Sequence, residues 1–228
     1  MINPANNILP FLDALRLNNN KPWFDQNRNW YKAAQTDFVQ FITDMIEILS
    51  DTEPKFAGLT AKDCIYRIFR DLRFSFDKTP YKTHFSANIA PGGKNSPKCG
   101  FYIQFEPHNL SMCGGGLWIE DKNILKAVRD ELYSVPEDLL EIIETKEFKR
   151  YFGPLWDYQK LKKVPAGYDR DFAHADLLKY KHFIVTNDIS DEQVSQPNLY
   201  DHIANAHRIL QPMCRLLDDI IEEAGVVK

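Results

Sequence analysis

GFYIQFEPHNLSMCGGGLW, Gly100 to Trp118, carries the reading that decides the fold. In its first half Phe101, Ile103 and Phe105 alternate with Tyr102 and Gln104, the period of a strand with one apolar face, and Gly100 to Glu106 is the clearest strand in the chain. Pro107-His108-Asn109 reads as a turn, and Leu110 to Trp118 as a second strand interrupted by Gly114-Gly115-Gly116. Three glycines weaken a strand unless another backbone approaches closely, a bulge forms, or a ligand lies against the main chain. The backbone-geometry reading leads, with ligand contact as the alternative. The triplet lacks Gly-x-Gly-x-x-Gly spacing and no Gly-Lys-Ser or Gly-Lys-Thr follows it, which argues against a dinucleotide site or a P-loop.

Upstream, Asn88 to Lys98 is rich in turn residues and predicts a long hairpin loop between antiparallel strands, or a lid. Before it lies the densest mixture of rings and cations in the chain, CIYRIFRDLRFSFDKTPYKTH from Cys64 to His84. Ile65 to Phe69 predicts a strand from which arginines emerge, and Arg73 to Ala87 a loop with a turn at Thr79-Pro80. Solvated charge does not require interleaved rings, and a core strand would not carry five cations, so the segment reads as a sheet rim with rings inward and cations pooled at a cleft. Downstream, Phe183 and Val185 alternate with Ile184 in a strand from His182 to Thr186.

Helical spacing accounts for much of the rest. Ile8 to Leu17 predicts a helix ending at Asn18-Asn19-Asn20, and Trp30, Ala34, Phe38, Phe41, Met45 and Ile48 form one stripe of a helix from Asp25 to Leu49. Trp23, Phe24 and Trp30 read as core rather than as a ligand cleft. Asp121 caps a helix from Lys122 to Tyr133, and Ser134 with Glu137 reads as the capping box of the next, with Pro136 in its first turn. Ala173 to Leu178 predicts a short helix. Leu199, Ile203, Ala206, Leu210, Met213, Leu217 and Ile220 predict a long C-terminal helix, begun by Pro197 and bent at Pro212, with Asp218, Asp219, Glu222 and Glu223 as its wet face. No repeat or linker divides the chain. The expectation is a single α+β domain, residues 1–228, with a mostly antiparallel sheet packed against helices.

A composition of 44% hydrophobic and 26% charged residues over 228 positions is that of a folded globular chain. The net charge of −4 argues against nucleic acid as the main partner. From Lys62 to His84, six Lys or Arg face three Asp, a local +3 that suits a focused site for a small anion; the alternative is local salt-bridging, with Asp63, Asp71 and Asp77 neutralising their neighbours. Lys162, Lys163, Arg170, Lys179 and Lys181 form a second basic cluster, which lines the same cleft if its strand joins the sheet near Arg67 to Arg73. Cys64, Cys99, Cys113 and Cys214 lack close-pair spacing, so no zinc or iron–sulfur site is expected. The N-terminus has no signal-peptide pattern and no run reaches membrane-spanning length, so the expected location is the cytoplasm, with no membrane partner.

For chemistry, the guanidinium forks of Arg67, Arg70 and Arg73 suit carboxylate or phosphate oxygens, and Ser75, Lys78, Tyr81, Lys82, Thr83 and His84 supply further donors. His84 is the candidate for proton transfer, oriented by Asp71 or Asp77, although a merely hydrogen-bonding histidine is the plainer reading. Ser75 and Ser86 are not in a Gly-x-Ser-x-Gly turn, which argues against a serine nucleophile. His174, Asp176 and His182 offer metal-compatible atoms without a metal motif, so no metal and no cofactor are expected.

NNNKPWFDQNRNWY (Asn18 to Tyr31), YRIFRDLRFSFDKTPYKTH (Tyr66 to His84), GGGLW (Gly114 to Trp118) and LKKVPAGYDRDFAHADLLKYKHF (Leu161 to Phe183) together resemble the bacterial domain-of-unknown-function 2461 family over nearly the whole chain. The resemblance implies a single α+β domain and brings no activity, cofactor or catalytic residue. The family's recurrent basic and aromatic positions correspond here to Arg67, Arg70, Asp71, Arg73, Phe74, Ser75, Asp77, Lys78, Pro80, Tyr81, Lys82, Thr83 and His84. In the later segment they correspond to Lys163, Pro165, Gly167, Tyr168, Lys179, Tyr180 and Lys181. The leading expectation is a binder of a small anionic or phosphate-bearing ligand in a cleft lined by these residues. The alternatives are a hydrolase of a phosphate-containing substrate with His84 as acid or base, and a non-catalytic protein-interaction module.

Overall fold

The structure, a computed structural model, describes residues 1–73 and 76–227. In chain order the elements are α1 (Pro4–Leu17), α2 (Lys21–Gln26), α3 (Arg28–Ser50), a 3-10 turn (Pro54–Phe56), α4 (Ala61–Cys64), β1 (Phe85–Ile89), β2 (Gly100–Phe105), β3 (Ser111–Leu117), α5 (Lys122–Ser134), α6 (Glu137–Ile143), α7 (Lys146–Phe152), a second 3-10 turn (Leu177–Lys179), β4 (Phe183–Ile189), α8 (Asp191–Ser195) and α9 (Leu199–Glu223). The four strands form one antiparallel sheet in the order β1-β2-β3-β4, which with the long C-terminal helix makes the fold α+β. Among the described residues no helix is long and apolar enough to cross a membrane.

The chain divides into two compact units. The first comprises Met1–Lys94, Tyr102–Cys113 and Asp188–Asn205; the second comprises Asn95–Phe101, Gly114–Asn187 and the chain from Ala206 onward. In the first unit, α1 and α3 bury Ile8, Phe11, Leu12, Leu15, Phe38, Phe41, Ile42 and Met45. Phe38 and Phe41 meet Phe105 edge-on at 6.0 and 4.9 Å, and Phe38 also lies 5.4 Å from Phe85, so the apolar faces of β1 and β2 rest on α3. Asn27 interrupts the apolar stripe of Asp25 to Leu49 by closing α2 and opening α3, and its side chain donates to the Trp23 carbonyl at 2.9 Å. The turn after β2 puts His108 and Asn109 at φ 70° and 61°. Asp191 stabilises it by accepting both of their backbone N–H groups, at 2.9 and 3.0 Å.

In the second unit, α9 lays Leu210 and Met213 over the glycine-bearing half of β3, and His207 meets Phe101 edge-on at 5.3 Å. The glycine triplet is a backbone requirement. A Cβ on Gly114, Gly115 or Gly116 would stand 2.1 Å from the Val185 carbonyl oxygen, 2.0 Å from that of Gly100 and 2.0 Å from that of Phe183, respectively, so only residues without side chains fit between β2 and β4.

Several local expectations are corrected. Ile65 to Phe69 is not a regular strand: it makes isolated antiparallel bridges, Ile65 to Ala87 and Phe69 to Tyr81, with a bend at Ile68 between them. The segment Arg73 to Ala87 is not all loop, since β1 starts at Phe85. Its rings do not all turn inward: Tyr81 is buried, but Phe69 is about half exposed and Phe76 fully so. Ser134 stays helical as the last residue of α5, so α6 opens on Pro136 with no side-chain cap. Ala173 to Leu178 yields only the 3-10 turn at Leu177–Lys179. Asp218 is not on a wet face: it is buried and accepts the Cys99 backbone N–H at 2.8 Å, while Glu222 pairs with Lys98 at 2.7 Å.

Candidate functional site on the polar face of β1 and β2

Alternation on β1 and β2 sends Phe85, Ala87, Ile89, Phe101, Ile103 and Phe105 into the core. In the first unit it leaves Ser86, Tyr102 and Gln104 on the opposite face, followed at the strand end by Glu106. These side chains are joined. The Ser86 hydroxyl bonds to the Tyr102 phenol, whose own O–H donates to Gln104 Oε1 at 2.7 Å. Gln104 Nε2 donates to Glu106 Oε2 at 2.9 Å, and Thr83 Oγ1 donates to Glu106 Oε1 at 2.6 Å. His84 Nδ1 stands 3.6 Å from Glu106 Oε2. Burial pushes the Glu106 carboxyl up, but the hydrogen bonds from His84 and Thr83 outweigh it and hold the group below its ordinary value.

The same face carries Tyr66, held by its N–H bond to the Ser86 carbonyl at 2.9 Å and lying 6.5 Å from the Tyr102 ring. Lys82 Nζ sits over the Tyr66 ring, 5.4 Å from its centroid. Burial and then the neighbouring Arg67 guanidinium both lower the Lys82 pKa. Among the described residues no carboxylate lies within ion-pair distance of the Lys82 ammonium or the Arg67 guanidinium. The site thus sets two cations together on an aromatic and hydroxyl surface, at one end of a relay that ends at a His–carboxylate pair.

The other cations of this segment are engaged locally. Arg70 pairs with Asp77, whose carboxylate also accepts the Thr79 N–H and hydroxyl at 2.9 and 3.0 Å. Arg73 grips Asp71 through Nε and Nη2, the latter at 2.6 Å. These partners bring both Asp71 and Asp77 down to about 2, chiefly through the Arg73 side chain in one case and the Thr79 backbone in the other. Lys78 donates to the Leu72 carbonyl at 3.0 Å. Tyr81 is buried, stacked on Phe24 at 4.0 Å, with its backbone exchanging hydrogen bonds with the Asn19 side chain. Ser75 lies outside the described residues.

The family described as conserved hypothetical protein (DUF2461) matches residues 7–215. The chain belongs to that family. No curated protein and no solved structure matches it. In this DUF2461 chain the two basic clusters fall in different compact units, Arg67 to His84 in the first and Lys163 to Lys181 in the second.

Within the second unit, Tyr168 donates to Asp130 at 2.7 Å, and burial with that carboxylate raises its phenol to about 12. Lys179 pairs with Asp176 at 3.3 Å, and Asp176 also holds Lys160, whose ammonium lies 3.9 Å over the Tyr180 ring. Lys163 is exposed. His174 packs on Phe172, and His182 Nδ1 accepts the Ile119 N–H at 3.1 Å, so His174, Asp176 and His182 have separate partners.

Two residues of interest escaped the sequence reading. Glu106 is over twenty positions from His84, and no local spacing links them; only the pairing of β1 with β2 does. Arg129 is the other: buried on α5, it donates to the Tyr180 carbonyl at 3.0 Å, and burial lowers its pKa. Its position on the apolar stripe with Val128 and Leu132 was the available signal.

Proposed function

We propose that the protein binds a small anionic, phosphate-bearing or carboxylate-bearing ligand on the polar face of β1 and β2, with Lys82 and Arg67 holding the anion. The observation that carries this reading is the Lys82 ammonium, half-buried beside a second cation and over a ring rather than beside a carboxylate. Such placement disfavours the ammonium charge, and a bound anion would reverse that sign. Tyr66 and Ser86 supply an aromatic and hydroxyl surround, and Arg70 and Arg73 stiffen the adjoining loop through their aspartates. The reading takes the protein as bacterial and cytoplasmic, and as a single functional domain.

The test is a thermal-shift titration with inorganic phosphate at low ionic strength. Wild type should be stabilised by phosphate, Lys82→Met should lose the shift, and Arg73→Ala should keep it. No shift in wild type, or an equal shift in Lys82→Met, would sink the proposal.

The His84–Glu106 pair favours a second reading, hydrolysis of a phosphate ester. Here Glu106, fixed by Thr83 and Gln104, would orient His84 so that the imidazole takes a proton from water attacking an anion held by Lys82. Turnover of a generic aryl phosphate that disappears in His84→Gln and falls in Glu106→Gln supports this reading. Binding without turnover leaves the first reading standing and removes the second.

A further inference from the structure

Four rings in the second unit are placed in a way that the anion site does not use. Trp156 N–H donates to the Ile184 carbonyl at 2.8 Å and Leu161 N–H to the Lys179 carbonyl at 2.9 Å, and between them Asp157 to Lys160 form a turn, closed by the Lys160 N–H on the Asp157 carbonyl at 2.9 Å with Gln159 at φ 57°. These two bonds hold the turn beside His182, and Tyr158 at its tip lies 6.2 Å from the His182 ring. Trp118, just past β3, stacks on His182 at 4.0 Å with the planes 10° apart. Tyr158 lies 5.9 Å from Trp118 at 26° and 5.0 Å from Trp156 at 19°. Tyr158 is thus nearly parallel to both indoles, which are tilted 43° to each other at 6.5 Å, and Trp118, Trp156 and Tyr158 are 45%, 46% and 44% exposed. A contiguous patch of two indoles and a phenol in water is the kind of surface that marks a binding site.

A second observation lies beneath it. His182 is 95% buried, its Nδ1 takes the Ile119 N–H, and its Nε2 has no hydrogen-bond partner. With Nδ1 as acceptor, Nε2 carries the proton, so a buried donor is left unmatched directly against the platform ring. Burial and then Lys181 lower the His182 pKa, which keeps the imidazole neutral as a support for Trp118.

We propose that Trp118, Trp156 and Tyr158 form a stacking platform for a neutral saccharide. At 19°, 26° and 43° the ring angles fall short of the steeply set walls that a cage for a quaternary ammonium ion needs. The rim chemistry selects against an anionic flat ligand such as a nucleotide. Glu120, beside the Trp118 indole N–H at 3.4 Å, puts a carboxylate at the edge that offsets the Lys181 charge acting on His182, while Lys160 is already held by Asp176. Among the described residues the Trp156 indole N–H and the Tyr158 hydroxyl have no protein partner, so they are open to sugar hydroxyls, as is the Glu120 carboxylate. A pyranose offers the matching surface, an apolar C–H face for the rings and hydroxyls at its edge.

The test is isothermal titration calorimetry of the full chain, in phosphate-free buffer, with chitotetraose, cellotetraose and maltotetraose at millimolar concentration. At least one should bind saturably, and Trp156→Ala and Tyr158→Ala should each weaken it tenfold or more, with circular dichroism showing both variants folded. Trp118→Ala also uncovers His182, so the other two variants carry the result. No binding of any of the three sugars overturns the proposal, as does undiminished binding in Trp156→Ala. So does binding of a proline decapeptide or of adenosine monophosphate at these rings in place of sugars. Lys82→Met should leave the sugar titration unchanged, which keeps this result separate from that of the anion site.

Discussion

At Glu106, burial and hydrogen bonding act in opposite directions on one carboxyl group, and hydrogen bonding wins. Its folded pKa therefore lies below the unfolded value. A carboxylate of this kind adds stability that is complete above the unfolded pKa and is lost as pH falls through the folded one. Glu106→Gln should accordingly cost about 1–3 kcal/mol at neutral pH, from weakened bonds to Thr83 and His84. The difference from wild type should shrink in acid, as read by urea unfolding over a pH series; a pH-independent difference would show that the ionised form is not what the site stabilises. The sequence alone singled out His84 and placed Asp71 or Asp77 beside it, because those are its nearest acids in the chain. Local electrostatics answers otherwise. Asp71 and Asp77 lie within reach of Arg73 and Arg70, and carboxylates settle on the guanidinium groups nearest to them.

At the scale of elements, β3 shows how composition reports packing. Its glycines are placed where β2 and β4 come closest, and Gly115→Ala would drive a methyl group to 2.0 Å from the Gly100 carbonyl oxygen. That substitution should destabilise by about 3 kcal/mol or more, since the obstruction is backbone and cannot turn aside. A melting temperature within a degree or two of wild type would refute the packing account. Helix α5 offers a smaller test. Asp121 accepts the Asn123 N–H at 2.6 Å as its N-cap, so Asp121→Ala should cost about 1 kcal/mol by denaturant unfolding, whereas Ser134→Ala should be nearly neutral because Ser134 caps nothing. The period-two pattern of β2, the Asp121 cap and the stripe of α9 were legible because each is a local property. The Ser134 box does not form because α5 runs on to include Ser134 and α6 opens on Pro136, an outcome set by where α5 ends rather than by the motif. Regular pairing of Ile65 to Phe69 was likewise beyond reach, because a ladder needs a partner of matching geometry.

For the whole molecule, the net charge of −4 opposes retention on polyanions, and of the six cations from Lys62 to His84, Arg70 and Arg73 are paired with Asp77 and Asp71. Duplex DNA should therefore bind only weakly and be released by ~0.1 M salt, as measured by fluorescence anisotropy; tight binding at physiological salt would mean that the basic residues act as an extended surface. The sequence by itself determined the α+β class, the antiparallel strands around Pro107 to Asn109, the long C-terminal helix and the family, because these follow from periodicity, turn chemistry and motif. Only the tertiary structure decided which charges meet. It placed Glu106 with His84, left Lys82 beside Arg67 on a polar sheet face, buried Asp218 against Cys99, and gathered Trp118, Trp156 and Tyr158 around His182. The physical reason is range. Backbone preference acts over a few residues, whereas ion pairing and ring stacking act across space, between groups that strand pairing brings together from distant parts of the chain.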